Sequence, residues 1–142
     1  MVDIHTIIAD YRSRKKDGNE ITPVPEDKRI IPTTSDIPDV FFDTILGQYK
    51  LSRQDIMIIM YLYRVVWCRP NLHKEFGISP LLSHTEMAKN LKLQMEDIYV
   101  SLRRLEEFGF ISTIRSGQYF VRKYFSKDLD ELYGQDYDEF EF

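Results

Sequence analysis

Apolar residues in the middle of the chain recur with a helical period, and the strongest run predicts a central buried helix. Residues 56–68, "IMIIMYLYRVVWC", are apolar nearly all round and are interrupted only by Arg64. Ser52 and Asp55 stand just before this run, in the pattern of a capping box that starts a helix. Together with a second helix at residues 95–108, it is expected to supply the core side chains Ile58, Ile59, Leu62, Ile98, Leu102 and Leu105.

The second half of the chain predicts a helix pair followed by a β-hairpin. Ser83 and Glu86 repeat the capping pattern and start a short helix, which the turn "LKLQ" joins to the helix at residues 95–108. Gly109 follows that helix, where glycine takes a left-handed conformation that most residues avoid. The runs "FISTIR" and "YFVRKYF" flank the turn "SGQ" and predict a hairpin. The expected fold class is therefore mainly α with a small β-hairpin.

The two ends of the chain differ in composition from the middle and divide it into three predicted segments. Residues 1–35 combine a short amphipathic helix with a proline-rich arm. Residues 36–125 hold the helices and the hairpin. Residues 126–142, "SKDLDELYGQDYDEFEF", form an acidic aromatic tail. As a separate solvated end, this tail should be removable after Phe125 without loss of the fold.

The net charge of −4 is concentrated in the tail. The three segments carry net charges of 0, +2 and −6, in chain order. An acidic protein is usually a poor partner for nucleic acid, but the middle segment is weakly basic. A DNA-binding function therefore stays open for residues 36–125.

Three stretches of the middle segment resemble a known group of folds. The stretches "LSRQDIMIIMYLYR", "SHTEMAKNLKL" and "LRRLEEFGFI" are similar to winged helix-turn-helix proteins of the MarR kind, of phage and plasmid replication initiators and of DnaD-type primosome proteins. The resemblance implies that residues 95–108 are a recognition helix and that the hairpin is the wing. It also implies binding of double-stranded DNA in replication initiation or transcription regulation, and a homodimer. Winged helices serve protein partners as well as DNA.

Ten residues on the implied recognition helix, the helix before it and the hairpin are candidates for contacting DNA. Advancing by about 100° per residue from Met95 places Glu96, Tyr99 and Arg103 opposite the core face. In the resembled families that face enters the major groove. The cations in the set suit phosphates, and a carboxylate accepts from cytosine N4. The candidates are Lys89, Lys92, Gln94, Glu96, Tyr99, Arg103, Arg104, Arg115, Arg122 and Lys123.

The start of the implied recognition helix is acidic, which leaves two interpretations open. Glu96 and Asp97 repel the phosphates that supply most of the affinity for DNA. Both also complement the positive end of the helix dipole, which is the plainer explanation. A continuous positive stripe joining this helix to the hairpin would favour DNA. Interruption of the stripe by acids would favour the alternative function, a protein–protein interaction module of a replication or partition assembly.

The tail alternates acids with aromatic residues and closes on Phe142. One interpretation is a disordered solubilising end. Another is a segment that binds a basic groove on a protein partner, or that covers the DNA-binding face of its own chain and competes with phosphate.

Catalytic, metal and membrane functions find little support in the sequence. Cys68 is the one cysteine, and the three histidines have no metal-ligand spacing, so we expect solvated imidazoles and no metal site. No glycine-rich phosphate loop and no acid–base pair of carboxylates is evident, so we expect no catalytic residue, no cofactor and no enzyme activity. The longest apolar run is shorter than the roughly 20 residues of a membrane span. The N terminus lacks the basic region of a signal peptide, which predicts a cytoplasmic protein with no membrane partner.

Overall fold

The computed structural model describes residues 32–137, which contain five helices and one β-hairpin joined by loops. The chain divides into two compact units, residues 1–34 and 35–142, and all of these elements belong to the second. The amphipathic helix and most of the proline-rich arm predicted for residues 1–35 lie outside the described residues. The helices, in chain order, are α1 (π-helical Phe41–Ile45 and α-helical Leu46–Gln48), α2 (Arg53–Tyr63, continued by π-helical Arg64–Cys68), α3 (His84–Leu91), α4 (Met95–Glu107) and α5 (Lys127–Leu132).

The hairpin consists of strands β1 (Ile111–Arg115) and β2 (Gln118–Val121), which pair antiparallel. A mainly helical unit with a two-stranded antiparallel sheet confirms the predicted fold class at this coarser level. The order of α3, α4 and the hairpin is compatible with the helix-turn-helix and hairpin that the sequence predicts.

Helix α2 begins at the predicted capping box. The Ser52 hydroxyl accepts a hydrogen bond from the Asp55 N–H at 3.1 Å, and the Asp55 carboxylate accepts from the Ser52 N–H at 3.0 Å. Two backbone donors that a helix start leaves free are thereby satisfied. The Asp55 side chain is completely buried, although the capping pattern alone places it at a helix end near solvent.

The core lies between α2 and α4 and extends to α1, α3 and the hairpin. All six side chains predicted for the core are buried, and Leu102 is the most exposed of them at 6%. Phe125 joins this core behind the hairpin, where its ring stacks on Tyr63 at 5.0 Å between centroids. The periodicity of the two long helices therefore predicted the core correctly, because residues three and four apart share one helix face.

The loop that precedes α3 runs along the outer edge of β2. The Ser79 N–H donates to the Tyr119 carbonyl at 2.8 Å, and the Val121 N–H donates to the Gly77 carbonyl at the same distance. At the hairpin turn, Gly117 has φ +83°, and a Cβ there would lie 2.5 Å from the Leu82 carbonyl oxygen. Only glycine combines this conformation with so close an approach, so the loop and the hairpin are fixed together.

The first part of the predicted tail packs against the rest of the folded unit, so the expectation of a separable end stays a prediction to be tested. Helix α5 is capped by Ser126, and Asp130 within it is 2% exposed. The Asp130 carboxylate accepts from the Tyr124 N–H at 2.9 Å, from Arg122 Nη1 at 3.2 Å and from the Tyr137 hydroxyl. The Tyr137 ring packs edge-on against Phe120 at 4.8 Å. Residues 138–142 lie outside the described part.

Candidate interaction surface

The outward face of α4 is exposed as its spacing predicts. Glu96, Arg103 and Glu107 are exposed, and Tyr99 and Val100 are 48% and 51% exposed. Gln94 precedes the helix without a side-chain capping bond. Glu96 and Asp97 in the first turn therefore lie where negative charge stabilises the helix dipole.

Carboxylates surround the one arginine on this face. Glu96 lies two turns before Arg103, and Glu107 lies one turn after it on the same side of the helix. Glu106, on the flank, accepts a hydrogen bond from the Thr113 hydroxyl of β1. Along this face an acid, Glu96, is followed by Tyr99 and Val100, then by Arg103, and finally by a second acid, Glu107. The positive charge of Arg103 does not extend into a stripe along α4.

Arg104 is engaged within the fold. Its Nε lies 3.1 Å from Asp55 Oδ2, without the alignment of a hydrogen bond, and its Nη2 donates to the Lys50 carbonyl at 3.0 Å. Its guanidinium carbon also lies 5.8 Å from the centre of the Phe108 ring. These contacts tie α4 to the start of α2, so the side chain predicted for DNA contact has a structural partner.

Arg122 and Lys123 are engaged with the C-terminal part of the unit. Arg122 Nε donates to the Gly109 carbonyl at 3.1 Å, and its Nη1 binds Asp130. Lys123 Nζ lies 5.6 Å from the centre of the Trp67 ring and 6.0 Å from that of Tyr124. Both cations directly follow β2 in sequence, and both side chains already contact other residues of the chain.

The remaining candidates lie at the surface. Lys89 is exposed on α3, and Lys92 is exposed after it with a left-handed φ of 56°. Arg115 is exposed at the end of β1, where its Nε donates to the Gln118 side chain at 3.0 Å. With Arg103, these are the predicted cations that stay available to an external partner.

His84 is part of a cluster that the sequence did not reveal. It was expected as a solvated imidazole, but its Nε2 pairs with the Tyr119 hydroxyl, and its ring lies 5.2 Å from that of Tyr99. Burial raises the pKa of Tyr119 to about 12, and the Glu106 carboxylate and Tyr99 contribute to the same shift. The Tyr119 hydroxyl therefore stays protonated at neutral pH. Because the His84 ring contacts Tyr99 and its Nε2 pairs with Tyr119, the cluster connects the exposed face of α4 to the hairpin.

Asp55 has a second set of neighbours, beyond its capping box, that the sequence did not reveal. It lines a pocket of about 180 Å³ between the start of α2 and α4, together with Asp97, Val100 and Ser101. The capping pattern placed Asp55 at a helix start but gave no sign of the facing residues of α4, because pairing across 40 or more positions leaves no local pattern. The pocket opens beside the outward face of α4, since Val100 belongs to both.

In comparisons with known proteins, the chain matches no family model, no curated protein and no solved structure. No helix within residues 32–137 is long and apolar enough to cross a membrane. Over the same stretch, no group of three or more His, Cys, Asp or Glu side chains is placed to hold a metal ion.

Proposed function

We propose that this chain is a winged-helix protein that acts as a protein–protein interaction module, with the outward face of α4 as its docking surface. The order of α3, turn, α4 and hairpin supports the winged-helix assignment. The observation that carries the functional proposal is the bracketing of Arg103 by Glu96 and Glu107 on the exposed face of α4. A helix that enters the major groove between two phosphate chains needs the opposite balance of charge.

The internal contacts of three candidate cations support the same choice. Arg104, Arg122 and Lys123 each make contacts within the fold. A protein partner suits the remaining surface better, because an exposed tyrosine beside an arginine is typical of interface centres. Because the sequence resembles replication initiators and primosome proteins, the partner proposed here is a component of a replication or partition assembly. The homodimer and the cytoplasmic location stay predictions from the sequence.

DNA binding is the second candidate, and Lys89, Lys92, Arg103 and Arg115 favour it. These four exposed cations lie on α3, the following turn, α4 and the hairpin, which are the elements that a winged helix places on DNA. So few phosphate contacts would make the affinity small, and its salt dependence would be shallower than that of proteins that make roughly six to ten such contacts.

Titration of the full chain with mixed duplex and single-stranded DNA at two salt concentrations separates the two candidates. If α4 docks on protein, the affinity for either DNA should be no higher than that of a variant lacking Arg103 and Arg115. A wild type that binds duplex tightly at low salt, and loses that binding in the variant, would overturn the proposal.

A photo-crosslinking residue at position 100 tests directly for a protein bound at the outward face of α4. We expect a crosslinked protein species from position 100 and none from position 75, an exposed control site on the short turn Lys74–Phe76. Tyr99→Ala should weaken the interaction roughly 30-fold if Tyr99 is the central side chain of the interface. Crosslinking that is unaffected by Tyr99→Ala would move the docking surface away from α4.

A further inference from the structure

The pocket beside α4 contains a buried carboxylate oxygen with no partner in the described part of the chain. Asp55 is completely buried, and its Oδ2 accepts from the Ser52 N–H and faces Arg104. Its Oδ1 makes no hydrogen bond within residues 32–137, and Asp55 lines the pocket. A buried carboxylate oxygen without a donor raises the free energy of the folded state, so a donor that enters the pocket is favoured.

The charge of the pocket selects a cationic donor. Asp55 and Asp97 oppose a single guanidinium, that of Arg104, so the lining carries a net charge of −1. Arg104 Nη2 donates to the Lys50 carbonyl, and Nε faces Asp55 Oδ2 without making a hydrogen bond, so this guanidinium gives no donor to Asp55 Oδ1. An incoming cation would restore neutrality, whereas a phosphate or carboxylate would be repelled.

The rim of the pocket suits a side chain with an apolar stem and a charged end. Val100 is 51% exposed at the rim and belongs to the outward face of α4. Lysine and arginine bury their methylene stems against apolar surface while the charged group reaches a carboxylate. Lysine and arginine therefore both combine the apolar stem and the positive charge that this lining favours.

We infer that the pocket between α2 and α4 receives a lysine or arginine side chain of the partner protein. The inference rests on the proposed function, because the same partner would cover Tyr99 and Val100. It specifies the chemistry of the partner, a basic residue flanked by apolar ones, and gives the buried Asp55 a role beyond its capping box.

The test uses the full chain, labelled with nitrogen-15, and three short peptides blocked at both ends. The first has the sequence Ala-Leu-Arg-Leu-Ala, the second has lysine in place of arginine, and the third has citrulline, which keeps the shape of arginine without its charge. We expect the two cationic peptides to shift the backbone amide signals of Gln54, Asp97, Val100 and Ser101. The citrulline peptide should bind about 10-fold more weakly, since a hydrogen bond to a charged group is lost.

Asp97→Asn is the informative variant because it removes charge at the rim and leaves the Ser52–Asp55 capping box in place. It should weaken the arginine peptide about 3- to 10-fold. Glu75→Gln makes the same change of charge on an exposed turn outside the pocket and should leave binding unchanged. The inference would be overturned if the citrulline peptide bound as tightly as the arginine peptide, or if Asp97→Asn bound the arginine peptide as tightly as the wild type does. It would also be overturned if no peptide shifted these amide signals.

These outcomes are separate from those that decide the proposed function. Failure of the peptides while position 100 still crosslinks a protein would mean that the partner docks on α4 without a cation in the pocket. Tight duplex binding by the wild type would overturn the proposed function whatever the peptides do.

Discussion

The Nε atom of Arg104 lies 3.1 Å from Asp55 Oδ2, and this pair joins α4 to the first turn of α2. The Asp55 side chain is completely buried, whereas that of Arg104 is 43% exposed. Truncation of the arginine would leave a buried carboxylate without its countercharge. We expect Arg104→Ala to lower the free energy of unfolding by about 1–3 kcal/mol, as measured by urea denaturation.

The neighbouring Arg103→Ala is the matched control. Arg103 is exposed, so its removal should change the unfolding free energy by less than about 0.5 kcal/mol. Equal effects of the two substitutions would mean that the ion pair contributes nothing to stability and that Arg104 is free for an external partner.

Tyr137 anchors the end of the described chain, and its hydroxyl is the group to remove. The hydroxyl donates to Asp130 and accepts from the Lys123 N–H at 3.0 Å. Tyr137→Phe should lower the unfolding free energy by about 1–3 kcal/mol because two partly buried groups lose a partner. Tyr133→Phe, at a ring that is 53% exposed, should have no measurable effect.

Truncation after Phe125 extends this test to the whole segment. The truncated chain loses Asp130 as well as Tyr137, so it should unfold at a lower urea concentration than Tyr137→Phe does. A truncated chain as stable as the full one would confirm the prediction of a separable tail.

The Tyr119 hydroxyl should make stability depend on pH in the alkaline range. Burial raises its pKa from 10.0 to about 12, so the unfolded chain releases this proton at lower pH than the folded chain does. The stabilising contribution is complete below pH 10 and is lost as the pH rises towards 12. Tyr119→Phe has no proton to release, so its unfolding free energy should fall less steeply over this window.

The readout is the slope of stability against pH, because Tyr119→Phe also loses the bond to His84 and is expected to be less stable at every pH. Tyr133→Phe removes a hydroxyl from a half-exposed ring outside this cluster and serves as the control. Parallel curves for the wild type and Tyr119→Phe would show that the Tyr119 pKa is the same in the folded and unfolded chains.

The core followed from the sequence because helical periodicity is a local property. Leu102 is 6% exposed, and Leu102→Ala should cost about 2–5 kcal/mol through the lost burial and the cavity left behind. Val100→Ala, two positions earlier on the exposed face, should cost less than about 0.5 kcal/mol. Similar losses at both positions, measured by urea denaturation, would contradict the orientation of α4.

The engagement of the candidate cations did not follow from the sequence, because each partner is distant along the chain or looks ordinary in its own segment. Asp55 lies 49 positions before Arg104. Asp130 lies in a tail with six other acids, and nothing in the local pattern marks it as the buried one. The exposed face of α4 was predictable from spacing alone. Which of its neighbouring cations stay free required the folded chain.

Glu96 and Glu107 bracket Arg103, and their charge can be removed without changing their shape. If these acids keep α4 from binding DNA, then Glu96→Gln combined with Glu107→Gln should create duplex binding that the wild type lacks. Removing two negative charges beside Arg103 leaves a positive face with Lys89 and Lys92 nearby in sequence. The new binding should be tightest at low salt and should weaken steeply as salt rises, since it depends on release of counterions from phosphate.

A double variant with the same change of net charge elsewhere separates this effect from that of overall charge. Glu75→Gln with Glu131→Gln changes two exposed acids outside α4. If both double variants gain equal affinity for duplex, net charge decides and the position of the acids does not matter. If only the α4 variant gains affinity, Glu96 and Glu107 are what prevents this face of α4 from binding duplex DNA, which leaves the face free for a protein partner.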